Sequence, residues 1–329
     1  MSGVAVLGAG NMGTALGQVI ASNGHDVRAW SIETDVLEEI RDHRRNTKYL
    51  DGVLLHGALR AVWELPEAIS GAELLIVSVP SQVVRAVARE MAPHVRPGQL
   101  VLSVAKGLEA NSHLRMSQVL EQELGQAFGK SIGSMGGPAI AIEMARGVPM
   151  AVVIGMGDDE ACRRVQAIAR NEHLKVEMTT DVCGLELCST LKNIYAIPLG
   201  MCDGLRYGTN TKAFLASLAL EEMCLICTAL GGERATVYGL AGLGDLLTTG
   251  FSQHSRNRTL GEKLGAGDDW RVFLGTHTVE GVSACRAIHQ LVEGKGLNVH
   301  LLETVHEVLF ADRPAPEALR HFFREFTYG

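Results

Sequence analysis

Short apolar runs and longer runs with helical spacing alternate through the first half of this 329-residue chain. Residues 3–7, GVAVL, are apolar without alternation, as in a strand buried on both faces. Met12, Leu16, Val19 and Ile20 then recur on one helical face. Asn23-Gly24 predicts the stop of that helix, because glycine tolerates the left-handed backbone there. DVRAW, 26–30, reads as a second strand. Further on, AELLIVSVP (72–80) predicts a strand and SQVVRAVAREMA a helix capped by Ser81. QLVLSVAKG is a strand running into Lys106-Gly107, and KSIGSMGGP and VPMAVVIG are strands flanking a short helix, AIAIEMARG. A helix over DDEACRRVQAIAR and a strand at LKVEM follow. This alternation implies an α/β fold with a doubly wound, mostly parallel sheet. From about Asp181 the strand-like runs stop, and helical patterns cover 182–202, 210–230, 255–265, 282–293 and 299–310. Residues 1–180 and 181–329 are therefore expected to be separate domains, the second all-helical, with a ligand cleft between the strand carboxyl ends and the helices.

Gly8, Gly10 and Gly13 interrupt the junction of the first strand and helix with the spacing G-x-G-x-x-G. In a strand–helix–strand context the three have separate jobs: a tight turn, close backbone approach to a pyrophosphate, and close helix–strand contact. The helix start adds free N–H groups and a partial positive charge. A chain with 37 glycines can produce the spacing by chance, but the flanking strand and helix point to a Rossmann-type dinucleotide site. Glu33, about 20 residues past the last of these glycines, has two readings. It can accept hydrogen bonds from a ribose 2′-OH, which favours NAD(H) over NADP(H), or it can be an acid at a helix start. Arg28 lies near enough in sequence to serve a 2′-phosphate.

Composition narrows the classes. The formal net charge of −7, with acids and bases interspersed, argues against a nucleic-acid partner while leaving room for a local cationic site. No apolar stretch reaches transmembrane length, so no integral membrane segment is expected. The amino terminus lacks the basic region of a secretory signal, and a cytoplasmic location with reduced thiols is expected. Cys224 and Cys227 have redox or metal spacing but sit in a helical run, FLASLALEEMCLICTAL, so helix packing and no metal site are expected.

A nicotinamide domain needs a partner that moves a proton to or from the reacting oxygen. Lys192 interrupts the apolar helix LCSTLKNIYAIPLG. Burial there would lower the pKa of a proton-transfer amine, although a lysine snorkelling at a domain surface fits as well. Asp245, in the glycine-rich segment GLAGLGDLLTTG, has a carboxylate that can orient an ammonium group or bind a substrate hydroxyl. Ser255, Arg256 and Asn257 in HSRNRTLG combine a hydroxyl, a guanidinium fork and an amide near a helix start, a set suited to phosphate. Lys106 adds a cation just past a strand end.

In order along nearly the whole chain, GAGNMGTAL, VSVPS, VAKGLE, GGPAIAIE, LKNIYAIPLGMCDGLRYGTN, AGLGDLLTT, HSRNR and VEGV resemble the bacterial NAD(P)-dependent glycerol-3-phosphate dehydrogenases. The resemblance implies a Rossmann-type domain followed by a helical one, usually in a homodimer. It implies interconversion of sn-glycerol 3-phosphate and dihydroxyacetone phosphate with NAD(H) or NADP(H), a reaction that feeds phospholipid synthesis. Lys192 becomes the proton acceptor. Lys106, Gly137, Asp245, Ser255, Arg256 and Asn257 line the site of a phosphorylated three-carbon substrate, while Asn11, Met12, Lys106, Ala141, Arg256 and Glu280 face the cofactor. Three segments depart from the family. GGPA replaces S-G-P-[ST], removing hydroxyls at Gly136 and Ala139; Ser217-Leu218-Ala219-Leu220 replaces T-R-G-L; and WSIE stands where W-x-x-[RD] is usual. Two alternatives are a dehydrogenase of another hydroxylated substrate and a silent NAD(H)-binding sensor. A retained proton-transfer pair counts against the sensor.

Overall fold

A computed structural model describes residues 1–326. The backbone divides into two compact units, Met1–Glu109 with Leu114–Val182, and Ala110–His113 with the chain from Cys183 onward.

The first unit is an eight-stranded sheet: β1 (Gly3–Leu7), β2 (Asp26–Trp30), β3 (Leu59–Val62), β4 (Leu74–Val77), β5 (Leu100–Ser103), β6 (Ile132–Gly136), β7 (Met150–Met156) and β8 (Leu174–Thr179). The spatial order is β3-β2-β1-β4-β5-β6-β7-β8. Neighbours pair in parallel except β6 with β7. Strand order reverses between β1 and β4, the switch point where such sheets take ligands. Its helices are α1 (Asn11–Ser22), α2 (Thr34–His43), α3 (Thr47–Leu50), α4 (Leu65–Ile69), α5 (Val84–Met91), α6 (Met116–Leu124), α7 (Ala141–Ala145) and α8 (Asp159–Ala169).

The unalternating apolar pattern of β1 has a direct cause. Val4 and Val6 pack with Leu16, Val19 and Ile20 on one face, while Ala5 and Leu7 pack with Leu75, Val77 and Val84 on the other. Asn23 follows the last turn of α1 and Gly24 takes φ +87°, as the stop signal required. Two details differ from expectation. Ser81 caps nothing: a 3-10 turn, Ser81–Val83, comes first, and α5 starts at Val84. The edge strand β3, LRAV, was not anticipated, because four residues with a central arginine carry too little apolar signal.

The second unit is helical: α9 (Val182–Gly204), α10 (Thr209–Ala229), α11 (Arg234–Tyr238), α12 (Asp245–Phe251), α13 (Arg256–Ala266), α14 (Trp270–Thr276), α15 (Glu280–Val292), α16 (His300–Phe310) and α17 (Ala315–Glu325). Helix α9 is buried without a break from Gly184 to Cys202, which explains why its apolar residues show no single face. It meets α13 almost backbone to backbone. A Cβ on Gly200 would lie 2.0 Å from the Arg258 carbonyl oxygen, and one on Gly261 would lie 1.9 Å from that of Ile197. That contact fixes the start of α13 relative to Lys192. Cys224 and Cys227 are buried within α10. Among the described residues no helix is long and apolar enough to cross a membrane.

Candidate active site

At the end of β1 the chain turns at Gly8, with φ +110°, and a Cβ there would lie 2.3 Å from the Ser78 carbonyl oxygen. A Cβ on Gly13 would lie 2.2 Å from the Gly8 carbonyl oxygen. Gly10 differs: its Cβ would meet no protein atom within 4 Å, and it precedes α1 without a side-chain cap. Two glycines thus serve the protein's own packing, and the third leaves room in front of uncapped N–H groups at a helix start. That arrangement fits a pyrophosphate. Asn11, exposed, and Met12, half-buried, occupy the first two helical positions. The turn is braced by Asn46, whose Nδ2 donates to the Ala9 carbonyl and to Thr14 Oγ1, both at 2.9 Å.

Lys106 lies just past β5 and Gly137 just past β6, where it is buried with φ +95°. Because β1, β4, β5 and β6 are parallel neighbours, Gly8, Ser78, Lys106 and Gly137 share the carboxyl-end edge of the sheet. Ala141 opens α7, half-buried.

Glu33 occupies the N-cap position of α2, an acid at a helix start, but its side chain makes no cap bond. Its carboxylate accepts from Lys48 Nζ on one oxygen and from Tyr49 Oη, at 2.8 Å, on the other. The Lys48 ammonium is the main reason its carboxyl lies below the usual range. Arg28 is corrected. Its guanidinium donates to the Glu67 carbonyl at 2.7 Å and lies beside Gly3, at the start of β1 rather than its end.

In the second unit Lys192 is 5% exposed and Asp245 1% exposed, and Nζ is paired with Oδ1. Removing one partner from such a pair strands a buried charge. Asp245 is not in a simple glycine turn: a π-helical turn, Leu240–Gly244, leads into α12, whose first residue it is. The residue after the lysine is a hub that the pattern did not single out. Asn193 donates through Nδ2 to Glu280 Oε2 at 3.1 Å and accepts at Oδ1 from Asn257 Nδ2 at 2.9 Å. Asn257 Oδ1 in turn accepts from the Gly281 N–H at 2.8 Å.

The Asn257 side chain is buried in this network, with one Nδ2 donor engaged by Asn193 and its Oδ1 by the Gly281 N–H. The residue also presents its backbone N–H at the start of α13. Ser255 caps that helix, its Oγ accepting from the Arg258 N–H at 3.2 Å, which leaves its hydroxyl proton to donate. Arg258 is engaged by Asp203 at 2.7 Å, whereas Arg256 is exposed at the first helical position. Glu280 opens α15. Of the residues missed in the sequence, Asn193 carried one signal, a second polar side chain beside a lysine in an apolar helix. Asn46, Lys48 and Tyr49 carried none.

A ligand-ready glycine turn at a sheet switch point and a buried amine–carboxylate pair beside a helix start define a class, the dinucleotide-dependent oxidoreductases. Comparison with known proteins narrows it. The family models for the NAD-dependent glycerol-3-phosphate dehydrogenase N-terminus and C-terminus match residues 3–162 and 181–320. The chain is 38% identical over 321 residues to glycerol-3-phosphate dehydrogenase [NAD(P)+] of Agathobacter rectalis, covering 97% of this chain and 95% of that one. It is 36% identical over 318 residues to the protein of the same name from Chlorobium chlorochromatii, covering 96% of each. The crystal structure of glycerol-3-phosphate dehydrogenase from Coxiella burnetii superimposes with a TM-score of 0.90 at 31% identity, covering 98% of this chain and 99% of that one. The chain belongs to the NAD-dependent glycerol-3-phosphate dehydrogenase family and is an NAD(P)-dependent oxidoreductase.

Proposed function

We propose that the enzyme interconverts sn-glycerol 3-phosphate and dihydroxyacetone phosphate, with Lys192 carrying the proton. The observation that carries this reading is the buried Lys192–Asp245 pair, since cofactor binding alone gives no reason to bury an amine. Bound at the glycine turn, the dinucleotide supplies or accepts the hydride. In reduction, the Lys192 ammonium donates a proton to the carbonyl oxygen as negative charge develops there; in oxidation, the amine takes the hydroxyl proton. Asp245 holds Nζ in one direction.

The phosphate falls to the start of α13: the Arg256 guanidinium, the Ser255 hydroxyl and the backbone N–H groups of the first turn, Asn257 included. Lys106 and the backbone at Gly137 complete the substrate contacts. Gly136 and Ala139 offer no hydroxyls, so this helix start carries more of the anion's binding than a site with two extra donors would need. Asn11, Met12, Ala141, Arg256 and Glu280 face the cofactor, and Glu33 takes the ribose diol. The resemblance that supports the activity also supports a cytoplasmic homodimer, which sedimentation tests.

The deciding experiment is a steady-state assay with dihydroxyacetone phosphate and each reduced cofactor, read at the nicotinamide absorbance. Consumption of NADH or NADPH that depends on this ketone is expected. Turnover of other ketones with none of this one would overturn the assignment.

A further inference from the structure

We infer that Lys48 is the residue through which this enzyme admits a cofactor bearing a 2′-phosphate, by sharing its ammonium between Glu33 and that phosphate. The inference rests on Glu33 facing the ribose. The segment holding Lys48 bridges both parts of the nucleotide site. At one end Asn46, fully buried, ties down the glycine turn through Ala9 and Thr14. Two and three residues later, Lys48 and Tyr49 each donate to one oxygen of the Glu33 carboxylate.

A carboxylate has about four acceptor positions, two per oxygen. One donor on each oxygen leaves one position on each, which matches the two hydroxyls of an unmodified ribose. A 2′-phosphate removes that diol and brings a second anion against Glu33. Asp35, whose Oδ2 lies 3.9 Å from Lys48 Nζ, adds to the repulsion. The other cation expected here, Arg28, is held at the opposite end of β1. Ile32 is 84% exposed and neutral. Lys48 is half-exposed on a flexible stem with three N–H donors, so it can keep one on Glu33 and turn others to a phosphate. Glu33 thus sets the preference for the diol, and Lys48 limits how severe that preference is.

The test is equilibrium binding to the full-length protein at fixed ionic strength, using NADH and NADPH by nicotinamide fluorescence and ADP-ribose with and without a 2′-phosphate by calorimetry. Lys48→Ala is expected to weaken NADPH about tenfold and NADH less than about threefold, the loss of one charge-assisted contact at a half-exposed site. Lys48→Arg is expected to retain NADPH binding, and Glu33→Gln to tighten NADPH relative to NADH. Equal weakening of both cofactors by Lys48→Ala, unchanged NADPH binding, or a wild type without affinity for NADPH would overturn the proposal. If Glu33→Gln alters neither cofactor, Glu33 does not face the ribose and the proposal fails with it. Wild-type turnover of dihydroxyacetone phosphate tests the dehydrogenase reading separately.

Discussion

The glycine turn of the sheet unit is built from backbone and empty space, whereas the amine–carboxylate pair of the helical unit and its neighbours are built from side chains. Gly8, Gly10 and Gly13 lie within six positions of one another, and their work is to leave space. Lys192 and Asp245 are 53 positions apart, and Asn193 reaches 64 and 87 positions to Asn257 and Glu280. The first site is made by omitting atoms and is local in the chain. The second is made by placing atoms and depends on how α9, α12, α13 and α15 pack. It follows that the sheet unit should be broken by adding a methyl group and the helical unit by removing a polar one.

The largest effect is expected in the helical unit. Lys192→Met should lower turnover by about 10²–10⁴-fold, the usual contribution of a positioned acid or base, while dinucleotide affinity stays near wild type. Because the buried Asp245 carboxylate then lacks its ammonium counter-charge, a stability loss of about 3–5 kcal/mol should accompany it, visible in urea unfolding. Turnover close to wild type would remove Lys192 from the mechanism.

The sheet unit gives a matched pair of smaller effects. Gly13→Ala puts a methyl group where the Gly8 carbonyl lies 2.2 Å away and should cost about 2–4 kcal/mol of stability. Gly10→Ala meets no protein atom, so stability should change by less than about 1 kcal/mol. Dinucleotide affinity should nevertheless fall about tenfold or more, because the methyl enters the space left for the ligand. If Gly10→Ala binds NADH as tightly as wild type, that space is not where the pyrophosphate lies.

An effect visible only as a pH dependence sharpens the contrast within the helical unit. Glu222 on α10 is 1% exposed, and its carboxyl accepts from the Leu301 and Leu302 N–H groups of α16 at 2.6 and 3.0 Å and from Tyr195 Oη of α9 at 2.8 Å. Burial outweighs these bonds and raises its pKa from an ordinary 4.5 to about 7. Between those values the folded state binds the extra proton, so the contribution to stability is full below about pH 4.5 and is lost as pH rises to about 7. At about 1.4 kcal/mol per unit, the loss is on the order of 3 kcal/mol. Urea midpoints from pH 5 to 8 should fall in wild type and fall less in Glu222→Gln. Parallel curves would show that Glu222 is ionised throughout.

Legibility in the sequence follows the same division. The three motif glycines, the buried strands β1, β4 and β5, and the stop at Asn23-Gly24 all rest on short-range sterics and periodicity. The apolar residues around Lys192 allowed either burial or a lysine snorkelling at a domain surface, and packing decided for burial. Its partner was only a candidate, since spacing in a sequence does not say which turns meet. Asn257 looked like an outward amide because its neighbours do, yet packing turns it toward Asn193. Arg28 sat near Glu33 in the chain, but strand alternation and the Glu67 carbonyl take it elsewhere. The segment 46–49 gave no warning at all, being polar, short and aperiodic.

What the sequence determined by itself, then, is the alternation of strands and helices, the change of texture near residue 181 and the presence of a backbone site at the first turn. Each is fixed by interactions a few residues long, where pattern and geometry are nearly the same thing. The tertiary structure alone decided which carboxylate holds Lys192, which arginine at α13 remains exposed, and which cation stands beside Glu33. Those outcomes depend on competition among distant side chains for the same few buried partners, and the winner is set by packing rather than by any residue's own character.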